Sequence, residues 1–312
     1  MPPLPPVKDV LDALQHTALP AAAGAALVAS AFLAVGRWAA ALGSAAAVVV
    51  GFGWANYTFD ALAWANTGRD IPWVAEDGAP AWHRMPRAAL ILIGVGLVSR
   101  WVGLLAARRL DERRRWAATL FTWAARVGVV AVVAPGLVPA SAAAEFIWLR
   151  PALVAVMLAL WVSLDNTARD RAGTEVAGYL ATAFLAAGMV LLYAHSARFM
   201  ELAVMCGCAA FGVAVVAFPT RADTSGAVPL GVVGLSALML HGRLSLDSQV
   251  PLASFCLIAV APLALLPFLA PVVARQPRYV VVPLRALLVL GPLVAAVVLA
   301  AQHEQLAFEE QW

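Results

Sequence analysis

The sequence predicts an all-α, polytopic integral membrane protein, with about ten transmembrane helices in one bundle that forms a single domain over residues 1–312. Of the 312 residues, 63% are hydrophobic and 12% are charged, whereas soluble domains contain about 25% charged residues. The apolar residues are gathered into runs long enough for a helix to cross a bilayer. The formal net charge of +3 comes mainly from loop arginines, which indicates orientation in a membrane and not nucleic-acid binding.

The stretch over residues 87–139 sets the predicted orientation. Two apolar runs, 88–107 and 116–138, are joined by a link at 108–115 that holds five arginines in eight residues. Basic residues in short links favour the cytoplasmic side, so this link is predicted to be cytoplasmic. With ten spans, 11 of the 21 Lys and Arg residues lie on that side, seven lie on the other and three lie inside spans. We therefore expect a multi-pass protein of a bacterial inner membrane with both termini outside.

The N-terminal region predicts a surface helix followed by a tight hairpin. Within a lead-in over residues 1–17, apolar residues recur at helical spacing from Val7 to Leu14, which is typical of an amphipathic helix at the interface. Spans 18–36 and 38–55 follow with almost no link between them. Gly24, Gly43 and Gly51 permit close contact between helices here.

The other segments continue the same alternation of apolar run and polar link. The link at 56–87 repeats tryptophan, which favours the headgroup level, and is predicted to lie along the outer surface. Pro229 in the eighth span and Pro262 and Pro267 in the ninth predict interrupted or tilted helices. The remaining spans are predicted at 88–107, 116–138, 149–164, 176–194, 199–218, 227–240, 250–270 and 279–301, before an acidic tail at 302–312.

Arg126 and Arg100 are the candidate substrate-binding residues. Arg126 lies 11 residues beyond Arg115, about 16 Å into a ~30 Å core, where an arginine costs roughly 2.5–3.5 kcal/mol and needs a partner. Arg100 lies at similar depth, and together they could bind a carboxylate, phosphate or lipid head. Alternatively, each pairs with a helix carbonyl or a remote acid and stabilises the bundle. Asp165 falls in the link after the fifth span, so no acid is expected near Arg126, which favours an external anion.

A second candidate is an outer polar cluster formed by His195, Arg198, Glu201 and His241. All five histidines fall on the outer side of the ten-span model, where imidazoles could bind haem or a transition metal or move protons. Arg198 and Glu201 are spaced to pair on one helix face. The ordinary alternative is an interfacial ion pair beside histidines that share no role. Arg285, six residues into the tenth span, is expected to extend to the cytoplasmic face.

These patterns leave three functions open. The sequence favours a transporter or permease for a small anionic or amphiphilic solute, with the lipid bilayer and that solute as partners. The alternatives are a non-catalytic scaffold or assembly subunit, and a membrane enzyme or redox subunit with an outward His/Glu site. Because no metal, phosphate-loop or nucleophile motif is present, a non-enzymatic role is favoured. No catalytic or metal residue is assigned, and cofactors and protein partners stay open.

Overall fold

The structure, a computed structural model, describes residues 7–36, 39–67, 84–109, 111–139, 142, 146–169, 173–244, 250–270 and 276–309. In these residues the chain is helical and contains no strand. The described part contains ten α-helices of nine residues or more: α1 (Val7–Val35), α2 (Ala40–Thr67), α3 (Met85–Arg109), α4 (Glu112–Leu137), α5 (Leu149–Arg169), α6 (Gly173–Tyr193), α7 (Ala197–Thr220), α8 (Val228–Leu244), α9 (Leu252–Val260) and α10 (Arg278–Glu309). A 3₁₀ turn, Ser225–Ala227, precedes α8, and a 3₁₀ helix, Ala261–Leu269, follows α9.

Seven helices in the described residues are long and apolar enough to cross a membrane. They lie within α1, α4, α5, α6, α7, α8 with its preceding 3₁₀ turn, and α10. Two further helical stretches are also apolar but shorter, Ala40–Ala55 in α2 and Leu252–Phe268 in α9 and the 3₁₀ helix. The predicted helical membrane bundle is therefore confirmed, whereas the number of ten spans stays a prediction.

The first two helices form the tight hairpin that the sequence predicts. The turn depends on Gly36, whose φ of 143° is a conformation that favours glycine. At Gly51, an added Cβ would lie 2.5 Å from the Ala21 carbonyl oxygen of α1. Helix α7 approaches the same helix as closely, because a Cβ at Gly212 would lie 2.3 Å from the Ala22 carbonyl oxygen. Close backbone contact at glycine thus joins α1, α2 and α7.

Helix α8 lies at the centre of the bundle. Fourteen of its 17 residues are buried, and it packs against α3, α5, α6, α7 and α9. Of the two alternatives predicted at Pro229, the break is wrong, because α8 is continuous from Val228, and the tilt stays a prediction. Pro229 occupies the first turn, where its missing N–H removes no intrahelical hydrogen bond.

The interruption predicted in the ninth span is confirmed. The α-helix ends at Val260 and the chain continues as a nine-residue 3₁₀ helix. Inside an α-helix the rings of Pro262 and Pro267 would clash with the carbonyl of the residue four positions before them, so the α-helix ends at Val260. Such a run is long for a 3₁₀ helix, and mid-helix stretches of this kind often mark hinges or strain.

Three helices extend beyond their predicted ends. Helix α1 is continuous from Val7, so the structure has no break between the lead-in and the first span. Helix α2 reaches Thr67, which makes the first part of the 56–87 link helical, while residues 68–83 lie outside the described part. Helix α10 passes through the start of the tail to Glu309. None of these extensions contains Gly or Pro, so a helix can continue past its apolar run.

Candidate functional site

Three arginine–carboxylate pairs join separate segments toward one end of the bundle. This arginine-rich end is where α3 meets α4, α5 meets α6, α7 meets α8, and the 3₁₀ helix meets α10. The pairs are Arg126 with Asp165, Arg100 with Asp223, and Arg285 with Glu175. Each pair places an arginine of one chain segment against a carboxylate of another. Pairing lowers the free-energy cost of holding these charges inside a membrane.

Arg126 and Asp165 form the most deeply buried pair. One Arg126 Nη atom lies 2.7 Å from Asp165 Oδ2, and the two side chains are 2% and 6% exposed. Arg126 lies 14 residues into the 26-residue α4, about 21 Å along it. Side chains lean toward the N-terminus of their own helix, so on the antiparallel α4 and α5 these two extend toward each other.

The expectation that no acid lies near Arg126 is wrong. Asp165 does not belong to a solvated link, because α5 continues past Leu164 to Arg169. The sequence held a signal for this. Leu153, Met157, Trp161 and Asp165 recur every fourth residue, and all four are buried. A carboxylate in register with an apolar helix stripe faces the bundle interior.

Two tryptophans enclose the Arg126 guanidinium. Its central carbon lies 4.8 Å from the Trp123 ring centroid and 5.2 Å from the Trp161 ring centroid, within cation–π range. Trp123 is three residues before Arg126 on α4, and Trp161 is four residues before Asp165 on α5, so helical spacing builds both walls. Within the described residues, Arg126 Nε is buried and has no hydrogen-bond partner. The site therefore retains one N–H donor for another acceptor.

The site is adjacent to the interrupted helix and to the central helix. Ser163, two residues before Asp165, donates a 2.6 Å hydrogen bond to the Pro262 carbonyl oxygen. Trp161 also lies against α3, where an added Cβ on Gly96 would be 3.5 Å from its ring and 3.0 Å from Pro229 of α8. α5 thus contacts Arg126 through Asp165 and Trp161, and contacts the 3₁₀ helix through Ser163, which points to a different side of α5.

Arg100 is partnered by Asp223, in the segment between α7 and α8. The other Asp223 carboxylate oxygen accepts the Ser225 backbone N–H at 3.0 Å. Both side chains are about a fifth to a quarter exposed, so this pair is less enclosed than Arg126–Asp165. The structure therefore gives the two candidate arginines separate acidic partners. Neither Asp223 nor Asp165 was expected from the sequence in this role.

Arg285 does not extend to the surface as expected. It is 4% exposed and lies 3.7 Å from Glu175 of α6, with its guanidinium carbon 5.3 Å from the Phe268 ring centroid. Tyr179, one turn after Glu175, donates a 3.1 Å hydrogen bond to the same carboxylate. This cluster fastens the start of α10 to α6. Arg285 therefore pairs with a carboxylate on another helix and does not extend to the membrane surface.

The predicted outer polar cluster is present only in part. Arg198 and Glu201 form the expected pair at 3.5 Å on α7. His195 is exposed in the turn before α7 with φ 54°, where it ends α6 in a Schellman motif through the hydrogen bonds His195 N to Leu192 O and Ser196 N to Leu191 O.

His241 lies in a different environment. It is buried and stacks on Phe199 with ring centroids 5.7 Å apart, beside the Leu137 backbone. Its Nε2 has no hydrogen-bond partner in the part of the chain that the structure describes. The contacts described for the two histidines do not bring His195 and His241 together. A joint role for the outer cluster stays a prediction.

Neither a metal site among the described side chains nor similarity to known proteins assigns a function to this chain. No group of three His, Cys, Asp or Glu side chains that could hold a metal ion occurs among the described residues. The chain matches no family model, no curated protein and no solved structure.

Proposed function

We propose that this membrane protein is a transporter, a permease that carries a small anionic or amphiphilic solute, and that Arg126 holds the anionic group during passage. The observation that carries the proposal is the buried Arg126 guanidinium with one unused N–H donor, near the middle of α4. Ionisable residues inside a membrane bundle are costly and mark solute or proton pathways. An anion is the ligand that such a donor recognises.

Asp165 acts in this proposal as the resident counter-ion. Without solute, the Asp165 carboxylate lies 2.7 Å from the guanidinium and offsets its charge. A carboxylate, phosphate or sulfonate that reaches Arg126 competes with Asp165 for the same guanidinium. The flanking Trp123 and Trp161 rings favour a solute with an apolar body.

The neighbouring interrupted helix supplies an element that can move. Discontinuous helices form the solute sites of many transporters. The 3₁₀ helix is attached to α5, the helix that carries Asp165, by the hydrogen bond from Ser163 to Pro262. Arg100, nearer the arginine-rich end, offers a second cation along the same half of the bundle.

The test is uptake of labelled methanesulfonate and benzenesulfonate into vesicles that contain the purified full chain. Sulfonates stay anionic and do not cross lipid as neutral acids. We expect saturable uptake of at least one sulfonate by the wild type, and its loss in the double variant Arg126→Gln/Asp165→Asn. The double variant removes both charges together, so no buried charge is left without its partner.

The matched control is Arg150→Gln, which removes an exposed arginine at the first turn of α5. Its uptake should equal that of the wild type. Wild-type vesicles that take up neither sulfonate contradict the proposal, and so does unchanged uptake in the folded double variant.

An assembly subunit is the second candidate, favoured by backbone contacts that leave little room for movement. A Cβ at Gly226 would lie 1.9 Å from the Ala41 carbonyl oxygen, and one at Gly212 would lie 2.3 Å from Ala22. Gentle extraction followed by size measurement distinguishes this candidate, because an assembly subunit leaves the membrane with a fixed partner in constant ratio. A chain that is recovered alone and transports sulfonate is a permease.

A further inference from the structure

We infer that the solute reaches Arg126 laterally from the bilayer, at the edge of α4, and that it is an anionic amphiphile. Its headgroup binds the guanidinium while its apolar chain stays in the lipid. This inference rests on the proposed function and deepens it, because it names the substrate class and the side from which the substrate enters.

Helix α4 is the least buried of the seven helices that are long and apolar enough to cross a membrane. Only 17% of its apolar stretch is buried, compared with 83% for α8. Among the described residues, α4 packs mainly against α3 and α5. Arg126 is nevertheless only 1% exposed. A fully buried arginine on so exposed a helix lies close to the lipid.

The inner side of the Arg126 guanidinium is closed. Trp161 of α5, whose ring centroid lies 5.2 Å from the guanidinium carbon, is 1% exposed. Behind this ring α3 and α8 are in close contact, because a Cβ added to Gly96 would lie 3.5 Å from Trp161 and 3.0 Å from Pro229. A solute therefore has no room to approach Arg126 from the centre of the bundle.

The outer side of the guanidinium lies at the edge of the lipid-facing surface of α4. Trp123, whose ring centroid lies 4.8 Å from the guanidinium carbon, is partly exposed. Leu120 and Val127 lie three residues before it and four residues after it, on the same side of the helix, and they are 56% and 46% exposed. Trp123 therefore lies between the guanidinium and the lipid, and a change of its rotamer would open the site.

The same edge of α4 leads to the membrane surface. Trp116, seven residues before Trp123, is 70% exposed and continues the row at helical spacing. The row begins beside the link at 108–115, which holds five arginines, and basic segments next to a membrane helix attract anionic headgroups. A headgroup can thus move from the link to Arg126 along this row while its chain stays in contact with lipid.

The cost of desolvation selects the substrate class. A small hydrophilic anion that entered from the acyl chains would lose its hydration before it met Arg126. An apolar chain offsets this cost, because each CH₂ group buried in the bilayer contributes favourable free energy. A carboxylate, phosphate or sulfonate attached to an alkyl chain therefore fits this route, and a small free anion does not.

Photolabelling of the full chain in lipid nanodiscs tests the route. The probe is 4-octylbenzenesulfonate with a diazirine at the end of the octyl chain, and mass spectrometry identifies the labelled residues. We expect labels at Leu120 and Val127 on α4. Unlabelled 4-octylbenzenesulfonate should compete for this labelling, and methanesulfonate at the same concentration should not.

The matched control is on α10, which also faces lipid. Leu287 is 68% exposed and follows the start of α10 by nine residues, as Leu120 follows the start of α4 by eight. Both helices start at the arginine-rich end, so the two leucines lie at similar depth. Labels at Leu287 should be few, and unlabelled amphiphile should not reduce them.

Two variants connect the labelling to Arg126. The double variant Arg126→Gln/Asp165→Asn should reduce the competed labelling of α4 by about tenfold or more, since the hydrogen bond from a charged donor to the headgroup is lost. Arg150→Gln should be labelled like the wild type. If the double variant does not fold, the wild-type pattern of labels and competition still decides the matter.

The outcomes separate the route from the proposed function. Labels on buried residues inside the bundle, or equal competition by methanesulfonate, overturn entry from the bilayer and leave the permease proposal standing. Equal labelling of α4 and α10, or unchanged labelling of α4 in the folded double variant, also overturns it. Wild-type protein whose labelling no sulfonate reduces, and which takes up neither methanesulfonate nor benzenesulfonate in vesicles, overturns both.

Discussion

Two arginine–acid pairs at different places in the molecule show how much environment decides what an ion pair does. Arg126 and Asp165 come from different helices, lie 2.7 Å apart and are almost fully enclosed. Arg198 and Glu201 are three residues apart on one helix, lie 3.5 Å apart and remain 30% and 20% exposed. Both pairs join a guanidinium to a carboxylate, but the effective dielectric constant is lower around the buried pair than around the exposed one.

The difference teaches where charge is structural and where it is solvated. Water and headgroups can replace either partner of the α7 pair, so that pair contributes little to stability. The Arg126–Asp165 pair lies in the bundle interior, where Trp161, four residues before Asp165, is also buried. Removing one member of such a pair leaves a charge that the bundle cannot solvate. The buried pair is therefore expected to be far more sensitive to the loss of one member than the pair on α7.

The largest effect is expected when one member of the buried pair is removed. Arg126→Gln should lower the free energy of unfolding by about 3–5 kcal/mol, because the buried Asp165 carboxylate loses the guanidinium that lies 2.7 Å from it. Thermal unfolding in detergent measures this change. The double variant Arg126→Gln/Asp165→Asn should regain most of the loss, because neither side chain then carries a charge.

The double-mutant cycle also separates pairing from packing. If the two single losses simply add in the double variant, the side chains do not act as a pair and the contrast with α7 disappears. Strongly non-additive losses in the double variant would show that Arg126 and Asp165 act as a pair, unlike the pair on α7.

The second largest effect is expected where two backbone segments, and not two charges, are in close contact. Gly226, in the 3₁₀ turn at the arginine-rich end, has no room for a side chain, since a Cβ would lie 1.9 Å from the Ala41 carbonyl oxygen and 2.8 Å from the Ala45 nitrogen. Gly226→Ala should cost about 1–3 kcal/mol through forced backbone shifts. Unfolding in detergent again gives the measurement.

Gly94 is the matched control because it is a helical glycine with nothing within 4 Å of an added Cβ. Gly94→Ala should leave stability unchanged or raise it slightly, since alanine favours helix. Equal losses at Gly94 and Gly226 would mean that the close approach of α2 to the turn contributes nothing.

The sequence was sufficient for features that depend on local spacing. Long apolar runs placed the helices, the proline pair in the ninth span marked the change to a 3₁₀ helix, and spacing by three residues gave the Arg198–Glu201 contact. Pro229 shows the limit, because a proline is harmless or disruptive according to where the helix starts, and that start is set by the preceding turn.

Partners on different helices were beyond this kind of inference. Arg285 meets Glu175 and Arg100 meets Asp223 across more than 100 residues of chain, and only the packing of the helices brings them together. Asp165 is an intermediate case. Its register with Trp161 is a sequence signal of burial that the prediction of a link at Asp165 did not use, and which arginine it faces depends on how α4 lies against α5.

The smallest effect is expected at the exposed pair on α7. Arg198→Gln should change the free energy of unfolding by about 0.2–1 kcal/mol, and added salt should reduce even this difference, because exposed charges at this separation are screened. The double variant Arg198→Gln/Glu201→Gln should match the single variant within error. A loss as large as that of Arg126→Gln, or one that persists in high salt, would place Arg198 in a buried network. In that case the end of the bundle where His241 of α8 stacks on Phe199 of α7 would be a candidate site in its own right.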